Sequence, residues 1–277
     1  MTTANASRAA KPEDDTGPTP RPLTGRHALI TGGNRGIGAA IARELADLGA
    51  NITLAARDEA ALQEQSQALS QRGDTAVACQ TMDLRDAASI TRGVAAARDE
   101  LGPISILINN AGVAPAAPLA KLQLDSWRET FEINVQAAFL LSQAVLDDMQ
   151  TQGFGRMINI SSTAGLRGYP FVAAYVASKH ALIGLTRALA LELSKGPITV
   201  NAVCPGYAET EMAHNAIRNI QQSGKTEAEA RAILTRGNPQ GRLIQPDEVA
   251  ATVGWLCQPS SASITGQAIA VAGGEVM

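Results

Sequence analysis

Tyr175 and Lys179 stand four residues apart in the stretch YVASKHALIGL. In a helix that offset is a rise of about 6 Å and a return to nearly the same face, so a phenol and an ammonium can act on one spot. The ammonium is expected to favour tyrosinate and to draw the phenol down from its usual pKa of about 10. Such a phenol gives a proton to a carbonyl oxygen or takes one from an alcohol. The chain has three Tyr and five Lys in 277 residues, so chance supplies only about 0.05 pairs at this offset. Tyr169 and Tyr207 have Ala173 and Glu211 there instead. Two hydroxyls, Ser161 at the end of a strand-like run at 156–161 and Ser162 just past it, stand where open α/β sheets bind ligands. Either could hydrogen-bond a substrate oxygen and steady developing charge, and alternation along the strand does not choose between them.

Proton transfer to a carbonyl needs a hydride source, and a second cluster fits one. The run TGGNRGIG at 31–38 places Gly32, Gly36 and Gly38 between an apolar run, His27–Thr31, and a helical pattern, Ile37, Ile41, Leu45, Leu48. Glycines allow positive φ and close backbone approach, and a helix start offers unpaired N–H groups and the positive end of a dipole. A strand before and a helix after are the context of a dinucleotide-phosphate turn, although G-x3-G-x-G departs from the commoner G-x-G-x-x-G. The next strand ends Ala55-Ala56-Arg57, with no carboxylate for the ribose hydroxyls of NAD(H). Arg57, with Arg35 from the glycine turn, can fork onto a 2′-phosphate. The expected cofactor is therefore NADP(H), preferred over NAD(H).

Positioning these groups requires a sheet. Short apolar runs alternate with helical stretches along the chain: HALIT, NITLAA, TAVACQ, ISILIN, RMINIS, ITVNAV and QAIAVA. Strands apolar at every position are buried on both faces, as in parallel sheets. Strict alternation with helices implies an α/β fold, a single Rossmann-type doubly wound sheet of seven parallel strands with helices on both faces. A (β/α)8 barrel has a similar length, but the glycine-rich first turn favours the open sheet. Residues 24–277 read as one catalytic domain, with a substrate lid at about 208–242. Residues 1–23, rich in Thr, Ala, Pro and charge, read as a disordered or loosely packed tail.

Composition excludes several alternatives. A net charge of −3 leaves no basic face for nucleic acid, and nine aromatic side chains are few for a base-stacking platform. Three cysteines and three histidines, none clustered, give neither a disulfide framework nor a metal site. No signal-peptide core or 18-residue apolar span occurs, so a cytoplasmic protein without membrane association is expected.

The ordered set TGGNRGIG, NNAG at 109–112, Asn134 within INV, ISS at 160–162, YVASK at 175–179 and PGYAET at 205–210 resembles the short-chain dehydrogenase/reductase family over nearly all of the chain from Leu23. The resemblance implies Ser162, Tyr175 and Lys179 as catalysts with Asn134 completing a tetrad, and its 13-residue serine–tyrosine spacing selects Ser162 over Ser161. It further implies that Lys179 binds the nicotinamide ribose, and that the Asn134 backbone carbonyl, at a helix irregularity, holds a water leading to solvent. On the cofactor side it implies contacts from Thr31, Gly32, Asn34, Arg35, Gly36, Ile37 and Gly38. Further contacts are implied from Arg57, Asp83, Leu84, Asn110, Ala111, Gly112, Pro205, Gly206, Ala208 and Thr210. Asp83 is assigned to the adenine amine.

The reaction implied is interconversion of a ketone or 3-oxoacyl group with a secondary alcohol. An NAD-linked alcohol dehydrogenase of the same family and a non-catalytic NADP(H)-binding sensor are the alternatives. The intact Ser–Tyr–Lys set argues against the sensor, which has no need of it. Thr163, Leu166, Tyr169, Tyr207 and Met212 are the candidate substrate pocket, with Phe171 beside them. Family members assemble as tetramers or dimers, so a homo-oligomer is expected. Alanine-rich faces (Ala137, Ala138, Ala144; Ala181, Ala188, Ala190) on the helical stretches 126–152 and 174–195 are compatible with close helix approach.

Overall fold

The computed structural model describes residues 21–73 and 75–277. Residues 1–20, most of the expected tail, lie outside the described residues. Residues 21–23, assigned to the tail, are packed against the domain. Leu23 is fully buried in the core, its N–H bonding the Leu48 carbonyl at 2.9 Å, and the Arg21 guanidinium reaches the Ala46 carbonyl.

Seven parallel strands form one sheet: β1 (His27–Thr31), β2 (Asn51–Ala56), β3 (Val77–Thr81), β4 (Ile106–Asn109), β5 (Gly155–Ile160), β6 (Ile198–Pro205) and β7 (Ala268–Val271). Their order is β3-β2-β1-β4-β5-β6-β7, with every pair parallel. The chain therefore winds outward from β1 to β3, then returns to place β4 on the other side of β1. That reversal opens a crevice at the carboxyl ends of β1 and β4.

Adjacent strand residues feed two separate cores. Ile30, Ile108 and Ile158 pack on one face with Ile41, Leu45, Val253 and Leu256. Their neighbours Leu29, Leu107 and Met157 pack on the other with Leu141, Val145 and Val200. This two-sided burial is why the strands lack polar alternation.

The helices are α1 (Gly36–Asp47), α2 (Glu59–Ser70), α3 (Ala87–Leu101), α4 (Leu124–Phe131), α5 (Ala137–Thr151), α6 (Ala173–Glu192), α7 (Glu211–Gln221), α8 (Glu227–Thr235) and α9 (Pro246–Cys257). The single helical stretch expected near 126–152 is two helices joined by a π turn, Glu132–Gln136. The stretch expected to form a lid holds α7 and α8. The sequence reading omits α9, although Pro246 in its first turn and a Gln245–Glu248 capping box are a recognisable start signal. It closes the first core against α1.

Of the six alanines expected to meet a partner, Ala144 and Ala181 are half-buried and Ala188 is exposed. Ala137, Ala138 and Ala190 are buried within the subunit's own core. On α4, α5 and α6 the exposed apolar side chains are Leu124, Phe139 and Leu191. Among the described residues no helix is long and apolar enough to cross a membrane.

Candidate active site

The glycine turn is shaped by contacts that admit no side chain. Gly32 and Gly36 have φ of +63° and +54°, the left-handed region that glycine enters without steric cost. A Cβ on Gly38 would lie 2.1 Å from the Gly32 carbonyl oxygen. The Thr31 hydroxyl accepts from the N–H groups of Asn110 (3.0 Å) and Ala111 (3.1 Å), tying the end of β1 to the segment after β4. The Asn110 amide donates to the carbonyls of Thr31 (2.9 Å) and Gly32 (3.2 Å). The Asn110 side chain thus braces the turn itself. Arg35 is the N-cap of α1 and makes no side-chain cap bond, which leaves the first-turn N–H groups to an anion. A bare backbone cradle at a helix start, with glycines that exclude side chains, fits a dinucleotide pyrophosphate.

The two arginines differ in setting. Arg35 forms an ion pair with Glu211, the first residue of α7. Arg57 is exposed just past β2, close enough to help lower the pKa of Asp83. Asp83, assigned to the adenine amine, is gripped by the Arg85 guanidinium at 3.0 Å (Nε to Oδ1) and 2.6 Å (Nη2 to Oδ2). That grip, with the Arg85 N–H, holds its carboxyl down to about 2. An adenine amine therefore has to share this carboxylate with Arg85. Leu84 packs against the second core.

The chemical groups converge beyond β5 and at the start of α6. Ser161 and Ser162 separate cleanly. The Ser161 hydroxyl is buried and donates to the Lys179 carbonyl at 3.1 Å, a structural bond. The Ser162 hydroxyl caps a 3-10 turn, Thr163–Gly165, accepting from the Ala164 N–H at 3.1 Å, and lies near enough to the Tyr175 phenol to draw its pKa down. The expectation that Lys179 lowers the Tyr175 pKa is not met in this structure. Burial raises the phenol above its ordinary value, with only the Ser162 bond opposing it. Lys179 Nζ donates to the Ile160 carbonyl at 2.7 Å and lies 5.7 Å from the Tyr175 ring centroid.

Asn134 sits buried in the π turn. Its Oδ1 accepts from the Val113 N–H, and its Nδ2 donates to the Val113 carbonyl and to Ser178 Oγ, all at 2.9 Å. The side chain thus fixes the loop after β4 to α6. A Cβ on Gly112 would meet Asn134 Oδ1 at 3.1 Å and Lys179 Nζ at 3.5 Å, so a residue without a side chain lets these groups approach.

Burial pulls the Lys179 pKa down from 10.5 to about 8. The folded chain therefore binds fewer protons than the unfolded chain between about pH 8 and 10.5, and stability rises with pH across that window. Below pH 8 the buried charge is a cost. Lys179→Met is expected to raise the melting temperature of the cofactor-free protein at pH 7, with the gain shrinking toward pH 10.5. A melting series in both proteins checks this, and a constant difference across that range would contradict it.

The candidate substrate pocket divides. Thr163 and Tyr169 join through a 2.8 Å hydroxyl contact. Leu166 packs with Ile183 and Cys204 beneath the site. Tyr207 and Met212 are part-exposed on the segment from β6 into α7. In that segment Pro205 ends β6, the Gly206 N–H bonds the Val271 carbonyl, and buried Ala208 bridges to Ile244. Thr210 caps α7, its methyl 3.2 Å from where a Gly36 Cβ would stand. Phe171, exposed, carries a φ of +67°. Sequence reasoning missed Glu209, which accepts from Arg231 and His214 and so ties α7 and α8 to the strand end. It also missed Glu275, whose Oε1 accepts from the Tyr169 hydroxyl at 2.5 Å across a separation of 106 residues. No local signal marks a contact that distant.

Known proteins share this architecture. The family model described as short chain dehydrogenase matches residues 26–221. The chain assigned as the ketoacyl reductase of the monensin polyketide synthase in Streptomyces virginiae is 43% identical, over 91% of this chain and 97% of its own. A 3-oxoacyl-(acyl-carrier-protein) reductase of Vibrio cholerae is 36% identical, over 92% and 99%. A crystal structure of a variant actinorhodin polyketide ketoreductase with NADPH superposes with a TM-score of 0.87 at 38% identity, covering 91% of this chain and 98% of that one. The phosphate turn, the Ser162–Tyr175 contact, the buried lysine and these matches lead to one conclusion: the chain belongs to the short chain dehydrogenase family.

Proposed function

We propose that the protein is an NADPH-dependent ketoreductase that converts a 3-oxoacyl group into the 3-hydroxyacyl group. The observation that carries this reading is the Ser162 hydroxyl near the Tyr175 phenol, with the buried Lys179 one turn further along α6. NADPH, when bound, supplies the hydride that adds to the carbonyl carbon. Ser162 donates a hydrogen bond to the carbonyl oxygen, and Tyr175 delivers the proton that completes the alcohol. The raised phenol pKa keeps Tyr175 protonated at neutral pH, the state that reduction needs. Lys179 would hold the nicotinamide ribose, and Asn134 fixes the loop after β4 through Val113. The glycine turn holds the pyrophosphate, and Arg35 and Arg57 hold the 2′-phosphate.

The relatives favour an acyl chain carried as a thioester over a simple ketone. We place the enzyme in the cytoplasm as a homotetramer, or failing that a dimer, associated through the exposed apolar side chains of α4, α5 and α6. A panel of ketones and 3-oxoacyl thioesters, assayed with NADPH and NADH side by side, tests the reading. Cofactor binding without turnover across that panel would restore the sensor.

Arg57→Ala is expected to raise KM for NADPH by roughly tenfold to a hundredfold, the loss of one charge-assisted contact, while KM for NADH changes little. Equal changes for both cofactors would remove Arg57 from phosphate recognition.

A further inference from the structure

Glu275 has no role in the reaction described above, yet four segments meet on it. Its Oε1 accepts from the Tyr169 hydroxyl at 2.5 Å, and Tyr169 in turn touches Thr163 Oγ1 at 2.8 Å. That path ends one residue from Ser162. The carboxylate occupies a notch between two glycines: a Cβ on Gly206 would stand 3.2 Å from Oε2, and one on Gly237 2.9 Å from Oε1. Gly206 immediately precedes Tyr207, and Gly237 follows α8. Glu275 therefore lies where the C-terminal segment, the loop after β5, the segment after β6 and the turn after α8 come together.

Among the described residues no ion pair reaches the Glu275 carboxylate. The neighbouring Arg167 stacks over the Tyr169 ring, 5.1 Å from its centroid, and directs Nη1 toward the Glu275 backbone carbonyl at 3.5 Å. The carboxylate is half-buried and is held by a phenol rather than by a cation.

We propose that Glu275 is a specificity-determining residue that selects substrates by the charge of their acyl end. This rests on the ketoreductase reading. A 3-oxoacyl chain in a thioester or ester is neutral at C1 and passes. A free 3-oxo acid carries a carboxylate two bonds from the reacting carbonyl carbon, and the like charge of Glu275 repels it. The cost of bringing two carboxylates into one half-buried site corresponds to roughly tenfold or more in kcat/KM.

The test measures kcat/KM with NADPH for acetoacetate and for an acetoacetyl thioester of N-acetylcysteamine. The parent enzyme is expected to favour the thioester. Glu275→Gln keeps an acceptor for Tyr169 while removing the charge, and is expected to move the ratio toward acetoacetate by roughly tenfold. Tyr169→Phe keeps the charge and is expected to leave the ratio within about twofold of the parent. In the parent enzyme, raising ionic strength is expected to favour acetoacetate selectively, a readout independent of any variant. An unchanged ratio in Glu275→Gln, or an equal shift in Tyr169→Phe, overturns the charge role while leaving the ketoreductase reading intact. No turnover of either compound by the parent enzyme overturns both.

Discussion

Tyr175→Phe is expected to lower kcat by about 10²–10⁴, the usual contribution of a positioned general acid, with NADPH affinity held within a few-fold. The substitution removes one oxygen and leaves the half-buried ring. It deletes the proton that completes the alcohol and the partner of the Ser162 hydroxyl, while Lys179 keeps its bond to the Ile160 carbonyl. Single-turnover reduction with saturating NADPH, alongside direct titration of cofactor binding, separates chemistry from binding. A rate within tenfold of the parent enzyme would take Tyr175 out of the chemical step. A loss of rate matched by a loss of cofactor affinity would make it a binding residue.

Gly38→Ala is expected to act on the cofactor and the fold together. The added methyl carbon meets a backbone carbonyl at 2.1 Å and the Asn110 amide at 2.6 Å. Backbone cannot rotate aside as a flexible side-chain tip can, so the Gly32–Gly38 turn has to open. Overpacking of this kind costs about 1–3 kcal/mol, and the displaced N–H groups no longer converge on a pyrophosphate. The measurement is thermal melting with and without NADPH. The parent protein gains stability on binding by mass action. Gly38→Ala is expected to melt lower and to lose that ligand-dependent rise. A normal rise would mean the turn tolerates the methyl group.

The fold was legible because each strand announces itself. Leu29 and Ile30, or Met157 and Ile158, are adjacent, both apolar, and serve opposite cores. No other arrangement buries them both so simply. The phosphate turn was legible because its glycines are answers to local sterics. Tyr175 and Lys179 were legible as a pair, but the direction of their coupling was not. Where an ammonium points depends on Ile160, nineteen residues earlier, and burial of the phenol depends on the whole packed site. Likewise the identity of Asp83 reads from sequence, whereas its engagement by Arg85 follows from loop geometry. Glu275 was illegible altogether, since its partners come from three remote segments.

The π turn at Glu132–Gln136 has a consequence for how this chain tolerates changes in length. A π turn holds one residue more than the α-helix around it would need. Removing any one residue from 132–136 would let α4 and α5 merge into a continuous regular helix, at a local saving in hydrogen-bond geometry. It would also turn everything on one side by about 100°. Either Thr130 on α4 would leave its buried place, or the row Ala137, Leu141, Val145 and Met149 would swing off the sheet. Asn134 would leave Val113 and Ser178 in both cases. The surplus residue is thus a phase setting, and single deletions here should be far less tolerated than in the solvent-facing turns at the opposite end of the sheet.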